Sequence, residues 1–387
     1  MRREYAGPEF LRDGFRPLFL AAGLWSAISG PLWIGVWSGA VRYPGLFDPV
    51  AWHIHEMLFG FIAAALGGFL LTAIPNWTGR LPMRGRLLAV LASVWLAGRI
   101  AVWAGGMLGP GATAAIDLAF TGALLLYVAN EIVAAGNWRN LPVVVGVSAL
   151  FSANLLFHLA AAGIADTRDI AARLAVGAMA FLLALVGGRI VPAFTRNWFA
   201  QHTGPDIAAP MTTFDRIVLT VTALALLAWV AGGSASHTGL ALTAAGALNL
   251  ARLARWRGWR AAAEPLVLVL HVGYLWLGVG LGLLGLSMLD DLAPQTLALH
   301  VLTIGAMGTM TLAVMTRAIL GHTGRELRAG PATTVIYGLA VLAVLARAAF
   351  ELASEPTLLW MTMAAWSLAF ALFTALYGPM LFRPREV

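Results

Sequence analysis

The sequence predicts an all-α polytopic membrane protein, with twelve transmembrane helices grouped as three four-helix repeats. Three observations carry that expectation. The 387-residue chain is 60% hydrophobic and 11% charged, far outside the range of soluble domains. Apolar stretches long enough to cross a bilayer recur along it. Two of those stretches, far apart, match in length and in their end residues.

The apolar runs place helices near 16–38, 51–75, 87–104, 112–135, 141–164, 170–194, 213–231, 236–254, 264–288, 295–320, 332–352 and 356–381. At about 1.5 Å of rise per residue, each covers a hydrocarbon core of roughly 30 Å. The alternating ten-residue segments of a transmembrane barrel are absent. There is no cysteine, which excludes disulfides, iron–sulfur clusters and thiolate metal sites. The run after "MRREYAGPEFLRDGFR" is long enough to span and remain, so no cleavable signal is expected.

Net charge is +7, and all 25 basic residues are arginine. On so apolar a chain this reports orientation in a membrane and gives no reason to expect nucleic acid. Arg2, Arg3, Arg12 and Arg16 fall on one side with Arg80, Arg84, Arg86, Arg139, Arg196 and Arg216. The run Arg252, Arg255, Arg257 and Arg260 joins them, with Arg325, Arg328, Arg383 and Arg385. The opposite loops hold only Arg42, Arg168 and Arg173 but carry Asp48, Asp166, Asp169, Asp290, Asp291 and Glu355. The positive-inside rule therefore puts both termini in the cytoplasm.

The repeat is read from the second and tenth helices. "HEMLFGFIAAALGGFLLTAIPNWTGR" runs from His55 to Arg80, and "HVLTIGAMGTMTLAVMTRAILGHTGR" from His300 to Arg325. Both open on histidine and close on Thr-Gly-Arg. Helix six, "AVGAMAFLLALVGGRIVPAFTRNW", shares the Gly-Gly and Asn-Trp of helix two but has no histidine. Four helices separate successive copies, so units near 1–135, 136–255 and 256–387 are expected within one transmembrane domain.

Chemistry is sought among the histidines, because ionisable groups inside a bilayer are costly and mark function. His53, His55, His158 and His300 fall at one depth on three helices, while His271 lies nearer the other end of helix nine. Residues two apart on a helix point about 200° apart, so His53 and His55 cannot chelate one ion together. Each is expected to serve a different centre: one a haem, the other a metal or ligand site with His158. Glu56 is expected to turn from His55 and either orient His53, three residues away, or cap the first turn. Arg99 and Arg347 lie within helices three and eleven. They either pair with Asp117, Glu131 or Glu351 or bind haem propionates.

"WHIHEMLFGF", "FLLTAIPNWTGR", "HVLTIGAMGTMTLAVMTRAILGHTGR" and "LHVGYLWLG" resemble the NnrS family of bacterial membrane proteins over nearly the whole chain. The resemblance implies about twelve helices, residence in the inner membrane, a link to nitric oxide and denitrification, and haem and copper as cofactors. The histidines in or beside these blocks are His53, His55, His271, His300 and His322. The arrangement is also similar to the large subunit of haem–copper oxidases and nitric oxide reductases. There, histidines of the second and tenth helices hold a low-spin haem. That likeness implies haem b on His300 with His55 or His53. Helices six and seven lack histidine and helix ten has one, which departs from that group's usual copper ligands.

Two further classes of function stay open: a transporter with structural or proton-relay histidines, and a membrane haem carrier of electrons. The expected partners are nitric oxide or a related small molecule and the lipid bilayer.

Overall fold

The computed structural model describes residues 5–202, 211–232, 235–289 and 292–386. Of the residues used to orient the chain, Arg2, Arg3, Asp290 and Asp291 lie outside the described residues. Among the described residues there are helices and no strands. The protein is a multi-pass membrane protein, with eleven helices among the described residues long and apolar enough to cross.

We number those spans with the one long helix that falls short in apolarity. They are α1 Phe15–Trp37, α2 Pro49–Thr78, α3 Arg86–Trp103, α4 Pro110–Ala134, α5 Trp138–Ala161, α6 Arg168–His202 and α7 Thr213–Gly232. Then come α8 Ser236–Arg255 and α9 Pro265–Leu286, α10 Gln295–His322, α11 Pro331–Ala353 and α12 Pro356–Phe382. Helix α8 is the exception because it carries Asn249 and Arg252, which it buries completely.

Three spans contain a π-helical stretch: Glu56–Ile62 in α2, Leu183–Gly187 in α6 and Val301–Gly308 in α10. A π turn disturbs the regular backbone ladder and is common at functional sites. Carbonyls in two of these stretches are taken by side chains from neighbouring helices. Gly60 accepts from Trp95 Nε1 at 2.9 Å, and Ala184 accepts from Arg252 Nη1 at 2.9 Å.

The chain divides into two compact units. The first contains α1 to α5 and the segments 318–326 and 370–387. Here α2 is started by Asp48, whose side chain accepts from the backbone N–H groups of Val50 and Ala51 at 3.0 and 2.9 Å, with Pro49 following. This is a well-formed helix N-terminus, so the first-turn capping role considered for Glu56 belongs to Asp48. The helix ends on Gly79 in the left-handed region, the usual stop for a helix.

Both Thr-Gly-Arg sequences do the same local work. Thr78 and Thr323 donate back to the carbonyls of Ile74 and Ile319 at 2.8 and 2.6 Å. Gly79 and Gly324 have φ of +72° and +80°. Arg80 and Arg325 each reach a carboxylate at 2.6 Å, Glu131 and Glu386 respectively.

The second unit contains residues 176–317 and 327–369. Its least apolar helix, α8, is held by close backbone packing and a buried ion pair. A Cβ on Gly246 would lie 2.5 Å from the backbone nitrogen of Gly282 and 2.7 Å from the carbonyl oxygen of Gly278. Small residues at such crossings let membrane helices approach through their backbones. Arg252 bonds Asp215 at 2.7 Å and Tyr274 at 3.0 Å, and Tyr274 donates to Asn249 at 2.7 Å.

Gly246→Leu should therefore separate α8 from α9, because backbone atoms cannot yield as a side chain can. A loss of about 1–3 kcal/mol or more is expected from overpacking, read as a lower unfolding temperature in detergent. Gly232→Ala, whose added Cβ meets nothing within 4 Å, should leave that temperature nearly unchanged.

Candidate metal centre

A buried polar cluster lies in the first unit, built from one or two residues on each of four helices. Helix α2 supplies His55 and Glu56, α3 supplies Arg99, α4 supplies Asp117, and α5 supplies Asn154 and His158. Asn154 and His158 are four residues apart and share one helix face. His55 and Asp117 lie six and seven residues from the starts of their spans. Arg99 and His158 lie four and three residues from the ends of theirs. All are thus within about 10 Å of one end of the unit.

Gly98 brings α3 against α4, since a Cβ there would sit 2.9 Å from Asp117 Oδ1 and 3.3 Å from its Cα. The next residue, Arg99, then reaches two carboxylates. Its Nη1 donates to Glu56 Oε1 at 2.6 Å and its Nη2 donates to Asp117 Oδ1. Exposure is 4% for Arg99 and 1% for each acid. Burying ions is expensive unless they are paired and hydrogen-bonded, and one guanidinium meets that requirement for both carboxylates.

The other oxygen of Asp117 is the hub. Asn154 Nδ2 donates to Oδ2 at 2.9 Å. His158 Nε2 lies 2.9 Å from the same oxygen and His55 Nε2 lies 3.2 Å from it. His55 Nε2 is also 3.0 Å from Asn154 Oδ1, while its Nδ1 faces Glu56 Oε1 at 3.1 Å. Phe47 stacks on this imidazole at 4.9 Å, with Phe59 and Phe157 5.0 and 6.0 Å away.

His55, Asp117 and His158 can each offer one ligand atom, and those atoms all lie within 4.8 Å of one another. A tetrahedral ion at about 2.0–2.2 Å from nitrogen and oxygen ligands needs them roughly 3–3.5 Å apart. The two histidine–Asp117 separations, 3.2 and 2.9 Å, are close to that. Charge agrees: with neutral imidazoles, two carboxylates against one guanidinium leave a net negative charge that a cation would neutralise. The contact of His55 Nδ1 with Glu56 is the usual second support of a metal-bound imidazole. The donor set fits an ion that accepts imidazole and carboxylate.

The remaining candidate residues fall elsewhere. His53 lies outside the cluster and packs on Trp33 at 4.5 Å. It belongs to the first unit and His300 to the second. His300 Nδ1 donates to the Thr296 carbonyl at 2.8 Å, which leaves Nε2 as the lone-pair nitrogen. His271 Nε2 bonds Thr195 Oγ1 at 2.8 Å under Gly258. His322 packs beside Phe15 at 5.4 Å. Arg347 is ion-paired with Glu351. For both intramembrane arginines the side-chain pairing is therefore the observed arrangement, with Glu131 taken by Arg80 instead.

Glu56 corrects the sequence reading. It bonds the adjacent His55, whereas the residue spacing turns it from His55 and leaves it to orient His53 or cap the first turn. Backbone angle alone separates neighbours by about 100°, but the glutamate stem is long enough to bring its carboxylate back to the neighbouring ring. Residue patterning places Asp117 only as a pairing partner of Arg99 and does not reach Asn154, whose signal is its spacing to His158 on one helix face.

A family model described as NnrS protein matches residues 9–385. No curated protein matches the chain.

Asp117→Asn should remove the anion common to Arg99, His55 and His158. Leaving a buried charge half-compensated costs about 3–5 kcal/mol, so a large fall in unfolding temperature is expected. Glu131→Gln, whose partner Arg80 has a 43% exposed side chain, should cause only a small one.

Proposed function

The chain belongs to the NnrS family, and from that premise we propose that it is a metal-binding membrane protein of the nitric oxide response. His55, Asp117 and His158 are the proposed ligands. The observation that carries this reading is the convergence of their ligand atoms within 4.8 Å. Copper is the preferred ion, because two imidazoles without a thiolate suit it and the family resemblance supplies it.

Bound there, such an ion would offer nitric oxide or a derived small molecule a coordination position and a redox couple. The chain's own residues orient and insulate it. Glu56 accepts from His55 Nδ1–H and holds its Nε2 toward the ion. Arg99 compensates both acids, and Phe47, Phe59 and Phe157 keep water from the ring. The electron donor is unassigned.

A separate centre, haem b, is proposed in the second unit, with His300 as a residue that would hold it. Its Nδ1–H is anchored on the Thr296 carbonyl, which favours ligation through Nε2. In this reading His55 belongs to the copper centre and is not assigned to the haem. Arg347 is already paired with Glu351, so no propionate role is carried forward.

The architecture proposed with this reading is twelve helices in three four-helix repeats, resembling the haem–copper oxidase large subunit, with both termini cytoplasmic in a bacterial inner membrane. The matched Thr-Gly-Arg ends and the π stretches in α2, α6 and α10 support it. So does a second correspondence. Gly60 and Gly305 each lie five residues after His55 and His300, and each abuts a tryptophan of the preceding span, Trp25 or Trp276.

Metal analysis and optical spectra of the purified protein test the two centres together. His158→Ala and His55→Ala should lose copper and keep the haem band, while His300→Ala should lose haem and keep copper. Full copper content in folded His55→Ala and His158→Ala proteins would defeat the metal assignment.

A further inference from the structure

Among the described residues, three buried polar atoms of this region lack a hydrogen-bond partner: Glu56 Oε2, Trp25 Nε1 and Arg99 Nε. A carboxylate oxygen only accepts and an indole nitrogen only donates, so the first two are complementary. They also meet at one place. A Cβ on Gly60 would lie 2.5 Å from Trp25 Nε1 and 2.9 Å from Glu56 Oε2. Both atoms therefore flank the bare α-carbon of that glycine, yet they do not bond each other. Glu56 is 1% exposed, and its other oxygen is already shared by His55 and Arg99. Bulk water does not reach it.

We propose that Trp25, Glu56 and Gly60 form a binding site for a single water-sized molecule, which accepts from the indole N–H and donates to the glutamate. The chemistry selects the occupant. A diatomic without hydrogen has nothing to donate to Oε2, and an anion would be repelled by it. Water does both with one heavy atom, and a buried polar site of this kind is where ordered water is retained. The Gly60 carbonyl is occupied by Trp95 Nε1 and does not compete for the indole. Glycine is required at position 60 because any side chain would enter the place where the indole and carboxylate approach.

The site goes beyond the metal reading, since its two open groups need satisfying with or without an ion. Filling it holds Oε2 on the α1 side and leaves Oε1 to His55 and Arg99.

A structure of the full-length protein at a resolution that shows ordered solvent tests the site, with Trp25→Phe determined alongside. Density within hydrogen-bonding distance of both Trp25 Nε1 and Glu56 Oε2 is expected in the wild type. It should vanish in Trp25→Phe, which keeps an aromatic ring and removes the donor. Copper content on the same samples should be equal, so that loss of the metal centre is distinguishable from loss of this site. An empty site in the wild type, a direct bond from Trp25 to Glu56, or unchanged density in Trp25→Phe would overturn the proposal.

Discussion

The candidate centre depends on one guanidinium. Arg99 reaches Glu56 on α2 and Asp117 on α4 from its own helix between them in sequence. Without it, two carboxylates would be buried beside one another in an apolar interior, an arrangement that electrostatics forbids. With it, Glu56 Oε1 and Asp117 Oδ1 each take one guanidinium nitrogen; Oε1 also faces His55, and Asp117 Oδ2 is left to Asn154, His55 and His158. The planar fork of arginine makes that division possible, and lysine could not reproduce it. Three helices are thereby set in register around the imidazoles.

The same economy operates where the helices are irregular. A π turn disturbs the backbone ladder, and in an apolar medium each displaced carbonyl needs a partner. Trp95 serves Gly60 in the first unit and Arg252 serves Ala184 in the second. In each case the donor comes from a different helix, so the irregularity of one helix becomes a point of attachment for another.

Much of the fold was legible because apolar run length is a strong signal in a membrane protein. The exception is instructive. Helix α8 forms where expected, but Asn249 and Arg252 lower its apolarity, and it is held by glycine packing and Asp215. The site was legible in part. Depth alone brought His55 and His158 to one level, and the wide angular separation of His53 and His55 told that they face different surroundings. What the sequence could not convey was contact. Nothing in it distinguished an arginine paired with side chains from one awaiting a cofactor. The π stretch after His55 leaves no mark on hydrophobic periodicity, and Asp117 looks like any acid near a helix start.

Phe47 and Asp48 are consecutive. The first covers the His55 ring, and the second holds the opening turn of α2 through two backbone N–H groups. The aromatic neighbour of His55 and the cap of its helix are thus carried by one dipeptide, so fraying of the first turn of α2 would loosen both together.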